Sequence, residues 1–213
     1  MKPSEPNSAF LRAVRGLHAR FVLGRRADRL AGAVSDALPR DPAVGSVLDV
    51  GCGDGAVGAR LRDALPDLSV HGVEIVPRPT CAIDCTAFDG TRTTFPDASF
   101  DICTLIDVLH HTKHPLDLLH EARRCATRGV IVKDHVANNK ADAAVLRFMD
   151  WVHNRPRGVP LPYSYLAGGE WEQLFAAAGL RVVHRTDRLG LYPFPFSLVF
   201  GRKLHFIARL EPS

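Results

Sequence analysis

The chain has 213 residues, of which 46% are hydrophobic and 23% charged, with a formal net charge of +4. That length supports one well-filled core with a small cap, and the composition is ordinary for a globular protein. The basic excess is mild and scattered, which argues against a nucleic-acid surface, and no segment approaches a membrane span.

In chain order, residues 1–8 read as a polar lead-in. Residues 9–38 carry apolar side chains at helical spacing, among them Phe10, Val14, Leu17, Phe21, Leu30, Val34 and Leu38, broken at Gly24. Arg25, Arg26 and Arg29 lie in this segment and read as a solvated helix face. "GSVLDVG" is a strand that ends in a glycine turn, and "DGAVGARLRDAL" is a helix, capped by Asp54 and ended by Pro66. Leu68–Ile75 is a second strand. A short strand is expected around Cys81–Ile83, and a strong one over Asp101–Ile106. "HPLDLLHEARRCA" is a helix with Pro115 in its first turn, and "RGVIVKDH" the next strand. Residues 138–166 form a cap insertion whose helix, Lys140–Val152, turns Val145, Phe148, Met149 and Val152 to one side. A helix in "GGEWEQLFAAAGL", a strand in "RVVHRTD", an aromatic loop "LYPFPF" and a last strand "LHFIARLE" close the chain.

Alternation of helices with strands that lack polar alternation predicts a mostly parallel sheet covered on both faces. No linker divides the chain, so 1–213 reads as one domain. The five cysteines make an odd number without a disulfide framework. Cys103 reads as a buried hydrophobe. Cys81 and Cys85 are four apart, yet no second pair completes a zinc site. Free thiols, a reducing compartment and, with no signal-peptide core at the N-terminus, a cytoplasmic location are expected.

"VLDVGCGDG", Val47–Gly55, places Asp49, Gly51, Cys52, Gly53 and Gly55 where a strand becomes a helix. Glycines there admit positive φ and let backbone approach a ligand, and the helix start adds free N–H donors. The spacing is not the dinucleotide G-x-G-x-x-G, and no Gly-Lys-Ser/Thr follows for a phosphate loop. Glu74 ends the second strand about twenty residues on, where a carboxylate can accept both ribose hydroxyls of a nucleoside.

These motifs resemble those of class I S-adenosylmethionine-dependent methyltransferases. "VLDVGCGDG" is similar to their first motif, and "FDGTRTTFPDASFDICTLIDVLHH" to the following block of the type 11-like subgroup acting mostly on small molecules. The resemblance implies a Rossmann-like α/β fold, with a mostly parallel seven-stranded sheet, helices on both faces and a small cap after the fifth strand. It implies S-adenosyl-L-methionine as cofactor and S-adenosyl-L-homocysteine as product. Asp49 and the backbone of Gly51, Cys52, Gly53 and Gly55 would surround the methionine moiety, and Glu74 the ribose. Phe88, Asp89 and Gly90 would meet the adenine, while Asp107, Val108 and Leu109 line the sulfonium region. Val76–Ala87 is short where the family has a full helix and strand, so the adenine side should be open or differently covered.

Because a sulfonium methyl is already electrophilic, alignment and at most one base suffice, and no metal is expected. His110 and His111 follow the fourth strand, and Asp134 and His135 the fifth, where open parallel sheets place their sites. His111, His135, Asp134 and Tyr163 are the catalytic candidates. His110, Met149, Asp150, His153, Tyr163 and Tyr192 are candidates for the acceptor, with Phe148, Met149 and Trp151 packing the cap over the site. Aromatic walls with a few polar groups suit a small, partly apolar acceptor methylated on oxygen or nitrogen. RNA or protein methylation, a non-catalytic S-adenosylmethionine-binding module and a cofactor-dependent cyclase are the alternatives. Oligomeric state is open, a homodimer through the N-terminal segment included.

Overall fold

Successive strands of the chain stack in register because each apolar run can bury both of its faces. The computed structural model describes residues 24–40, 43–154, 162–194, 197–201 and 203–213, with the side chains of 152–154 left aside. Its strands are β1 (Ser46–Val50), β2 (Ser69–Glu74), β3 (Asp84–Ala87), β4 (Phe100–Ile106), β5 (Ala126–His135), β6 (Leu180–Thr186) and β7 (His205–Pro212). Helices are α1 (Gly24–Ala37), α2 (Ala56–Ala64), α3 (Pro115–Cys125), α4 (Lys140–Asn154), α5 (Gly168–Ala177) and α6 (Ser197–Phe200), with a 3-10 turn at Leu109–His111. The sheet order is β3-β2-β1-β4-β5-β7-β6, and β7 runs antiparallel to both of its neighbours. This is the mostly parallel, seven-stranded Rossmann-like sheet that the motifs imply.

Alternate residues of each central strand feed two cores. Leu48, Val50, Cys103, Leu105, Val130 and Val132 face α3 and α5, packing with Leu119, Trp171, Phe175 and Phe206. Val47, Ile102, Ile131 and Ile207 face α1 and α2, packing with Leu30, Val34 and Leu61. A strand buried on both sides needs no polar alternation, which is why the sequence shows none. Val50 pairs with Val73 and with Leu105, and Leu105 with Val132. That register aligns the C-terminal ends of β1, β2, β4 and β5, so the glycine turn, Glu74, Asp107 and Asp134 share one rim.

Four element-level expectations are corrected. The edge strand lies at Asp84–Ala87, not Cys81–Ile83. Ile83 is instead a core plug against the bare backbone of Gly58 and Gly72. The N-cap of α2 is Gly55, at φ 71°, without a side-chain cap. Asp54 contributes one residue earlier, accepting the Ala56 N–H at 3.2 Å. Arg26 does not belong to a solvated face, because it pairs with Asp107 at 2.6 Å. In α4 the buried residues are Leu146 and Asp150, whereas Phe148 and Trp151 are 57% and 47% exposed, so the buried side is not the one the sequence pattern marked. Residues 9–23 of the expected N-terminal helical segment fall outside the described residues. Among the described residues no helix is long and apolar enough to cross a membrane.

Candidate active site

The glycine turn is fixed to β2 by its backbone: the Gly51 and Cys52 N–H groups donate to the Val73 carbonyl, and Gly53 N–H to Glu74 Oε2 at 2.9 Å. Glu74 Oε1 accepts the Ile75 N–H, also at 2.9 Å. Gly51, Gly53 and Gly55 all have φ between 62° and 73°, the left-handed region that side chains resist. A Cβ on Gly51 would stand 2.7 Å from Val108 Cγ2, so the turn lies tight against the residue after β4. A Cβ on Gly53 would meet nothing within 4 Å, which leaves its bare face open for a ligand.

Asp49 sits beneath this turn, 4% exposed, with Thr104 Oγ1 donating to its Oδ1 at 2.8 Å. Burial pushes its carboxyl up to about 6; the Thr104 hydrogen bond opposes the rise and the nearby Glu74 adds to it. A cationic group arriving over the turn would relieve that desolvated charge. Ile75 and Val76 follow Glu74 at 60% and 76% exposure. No helix covers them between β2 and β3 among the described residues. They present exposed apolar surface beside Phe88, Asp89 and Gly90, the residues that sequence reasoning assigned to the adenine. Asp89 Oδ1 is occupied by the Thr91 and Arg92 N–H groups and the Thr91 hydroxyl. Phe88 packs against the core, and Gly90 (φ 88°) lets the chain pass Ile75.

Beyond β4 the chain makes a second irregular turn. Asp107 adopts φ 57°, uncommon for a residue with a Cβ. Two cations hold it there: Lys133, fully buried, and Arg26 from α1. Burial alone would raise its carboxyl, but Lys133 and Arg26 keep it well below the usual range. Its side chain is therefore spoken for within the protein, and Leu109 points into the core at 2% exposure. Any contact of these two residues with a ligand over the turn would therefore fall to their backbone, while the Val108 side chain lies against the turn. Lys133 and Arg26 were missed, because a buried lysine in an apolar strand becomes legible only once Asp107 is placed opposite it.

The histidines gather around Asp134, which is fully buried at the end of β5. Its Oδ1 lies 2.6 Å from His110 Nδ1 and accepts the His135 N–H at 2.7 Å, while Oδ2 accepts the Leu109 N–H. Burial opposes charge on both partners, yet the pairing wins: Asp134 is held below its usual range and His110 above its own. His135 falls to about 4 through burial, with His110 and Lys133 adding repulsion. It is a neutral core group whose carbonyl accepts the Trp171 indole N–H at 2.8 Å. His110 Nε2 has no hydrogen-bond partner and lies 3.7 Å from Asp150 Oδ2.

Asp150 in turn accepts the Tyr165 hydroxyl, whose ring centroid is 6.0 Å from that of His110. Tyr165, two residues from the expected Tyr163, is thus the tyrosine at the histidines. Tyr163 (φ 55°) has Arg147 5.4 Å over its ring. Met149 is half-buried on the same helix as Asp150, and His111 is half-buried with its ring 3.9 Å from that of His110. Tyr192 lies near Arg26, 5.7 Å from the His205 ring. The side chain of His153 falls outside the described residues. Ligand atoms of His110, Asp134 and His135, and of His110, His111 and Asp150, lie close enough for an ion, but the hydrogen bonds above account for the first grouping.

A mostly parallel sheet with a glycine turn after β1, an acidic end to β2 and a polar cluster beyond β4 and β5 defines a Rossmann-like class I methyltransferase fold. The chain belongs to the methyltransferase domain family, which it matches over residues 22–185, and its cofactor is S-adenosylmethionine. Solved structures share the fold at low identity. An S-adenosylmethionine-dependent methyltransferase of Thermotoga maritima, described as a possible histamine N-methyltransferase, is 20% identical. It has a TM-score of 0.62, covering 96% of this chain and 98% of that one. A methyltransferase of Aquifex aeolicus is 15% identical with a TM-score of 0.60, covering 95% and 98%. The [4+2]-cyclase SpnF is 15% identical with a TM-score of 0.62, covering 87% and 80%. No curated protein matches the sequence.

Proposed function

We propose that this methyltransferase acts on an oxygen or nitrogen of a small, partly apolar acceptor, with His110 as the base and Asp134 as its anchor. The observation that carries the reading is the division of labour on one ring: Nδ1 is tied to Asp134, while Nε2 has no partner. An Nδ1–H donated to a carboxylate leaves the lone pair on Nε2, which can take a proton from a hydroxyl or ammonium. Asp134 then stabilises the imidazolium, and Asp150 lies on the side from which the proton arrives.

The residues on the rim of β1 and β2 fit S-adenosylmethionine. Asp49 suits its ammonium, Glu74 its ribose hydroxyls, the open face of Gly53 its close approach, and Ile75 its adenine. When bound, the cofactor supplies an electrophilic methyl group on a sulfonium. The protein's own contribution is alignment of the acceptor, removal of its proton and exclusion of water. Tyr165, Met149 and Tyr192 give the acceptor side its mix of ring surface and polar points, which suits a small molecule better than a polymer.

The test is incubation of the protein with methyl-labelled S-adenosylmethionine and a fractionated metabolite extract. A labelled small product formed together with S-adenosylhomocysteine supports the reading. Label recovered in RNA or protein instead would sink the small-molecule assignment. Tight cofactor binding with no methyl transfer to any fraction would shift it to a binding module or to a cyclase such as SpnF.

A further inference from the structure

Three of the five cysteines converge beside the glycine turn although they are distant in sequence. Cys52 belongs to the turn, Cys81 to the segment between β2 and β3, and Cys85 to β3; their sulfurs lie within 4.8 Å of one another. Cys52 Sγ and Cys85 Sγ are 3.5 Å apart and unbonded. Sulfurs sharing a tetrahedral zinc stand about 3.8 Å apart, given Zn–S bonds of about 2.3 Å. The thiols therefore already occupy near-ligating positions.

Glycines make the room. A Cβ on Gly72 would come within 2.5 Å of Cys52 Sγ, and one on Gly55 within 2.9 Å of Cys81 Sγ. All three thiols are partly exposed, so an ion can enter from solvent. Asp49 adds a negative field at Cys52, and Glu74 does so at Cys85, a setting that favours an arriving cation.

We infer that Cys52, Cys81 and Cys85 form a three-thiolate zinc(II) site, with a fourth position open to water. Three thiol protons pass to solvent as three Zn–S bonds form. The ion would add a direct cross-link between the glycine turn, the segment before β3 and β3, which otherwise meet through β2 and the Ile83 plug. Among the described residues the segment before β3 is tied by backbone bonds from Cys81 to Arg78 and from Ala82 to Asp54. No helix stiffens it, and the ion would fasten it to the turn and to the edge strand. The sequence showed two of the three thiols, Cys81 and Cys85; the third, Cys52, stood inside the glycine motif 29 positions before Cys81, separated by the helix and second strand of a strand-helix-strand unit.

The reduced protein, freed of metal by a chelator, is titrated with zinc in competition with a chromophoric chelator, and with cobalt(II) as an optical probe. One zinc per chain, thiolate-to-cobalt charge-transfer absorption and a higher melting temperature on zinc addition are expected. Cys81→Ser or Cys85→Ser should each weaken zinc binding at least ~100-fold while the far-ultraviolet dichroism is unchanged. Failure of the reduced protein to take zinc from the chelator overturns the site. Binding that survives both substitutions also overturns it and points to His110, His111 and Asp150. A Cys52–Cys85 disulfide in protein isolated without reductant, with no zinc uptake after reduction, would overturn it in favour of a redox pair. None of these readouts depends on methyl transfer, so they separate this site from the proposed activity.

Discussion

Asp49 and His110 show how one burial effect is turned to opposite uses by different neighbours. Asp49 has no cation beside it, only the Thr104 hydroxyl and the like charge of Glu74, so burial raises its carboxyl to about 6. Binding an ammonium requires the ionised form, so cofactor affinity should weaken below about pH 6, by up to about tenfold per pH unit. Calorimetric titration between pH 5 and 7.5 reads this directly, and Asp49→Asn should flatten the profile as well as weaken binding. A flat profile in the unaltered protein would remove Asp49 from the ammonium site. His110 has a carboxylate at 2.6 Å, and its pKa rises above the usual value of 6.5. If it is the base, the acidic limb of turnover must lie above pH 6.5, since the ring accepts a proton only once it has lost its own. His110→Asn should lower turnover by about 10²–10⁴-fold with cofactor affinity unchanged. His111→Asn should keep most of the rate; the reverse order would transfer the role to His111.

At the scale of elements, the parts legible in sequence are those whose signal is local. The glycine turn, Glu74 and the apolar runs of β1, β4 and β5 announce themselves because turn geometry and two-sided burial each leave a mark on adjacent residues. The edge strand did not: Ile83 carries the apolar signal but plugs the core, while Cys85 and Thr86 are half-exposed in the strand itself. The buried side of α4 was misread because Asp150 is a carboxylate inside and Trp151 an indole outside, the reverse of what polarity alone suggests. Arg26 was read as part of a solvated face because its partner is 81 positions away. That pair ties α1 to the turn after β4, and removing the guanidinium leaves Asp107 with Lys133 alone. Arg26→Ala should destabilise the fold on the order of 1–3 kcal/mol, below the value for a fully buried pair because Arg26 retains some solvent contact. Urea unfolding checks it, and an unchanged midpoint would mean that the link adds nothing to stability. Gly51→Ala tests the turn: with φ at 73° and a methyl 2.7 Å from Val108, it should cost at least ~1 kcal/mol and impair cofactor binding. Normal stability and binding together would show that the close approach of turn and Val108 is dispensable.

Across the whole molecule, the buried ionisable groups set how stability responds to acid. His135, at about 4, and His205, held well below 6.5 by burial, stay neutral in the folded state while their unfolded counterparts take protons below about 6.5. Their contribution is therefore present above that pH and is lost as pH falls toward 4. Asp49 works the other way. With its folded pKa raised to about 6, it holds a proton that the unfolded chain releases, so between about 6 and 3.8 acid favours the fold. Asp107 and Asp134, both depressed, contribute fully above the ordinary carboxylate range and lose that contribution only at lower pH. His110, raised, contributes fully below 6.5 and weakens the fold only as pH climbs through its folded value. Near pH 5 the two histidines, which take up protons on unfolding, outweigh the one aspartate that releases its own. The unfolding free energy should accordingly fall between pH 6.5 and 5, measured from urea midpoints at constant ionic strength. His135→Asn removes one of the two histidine protons, so its stability should fall less than that of the unaltered chain over the same range. Stability that stays level or rises with acid in the unaltered chain would mean that these imidazoles are hydrated in solution, and the site would have to be redrawn as open on the side of β7.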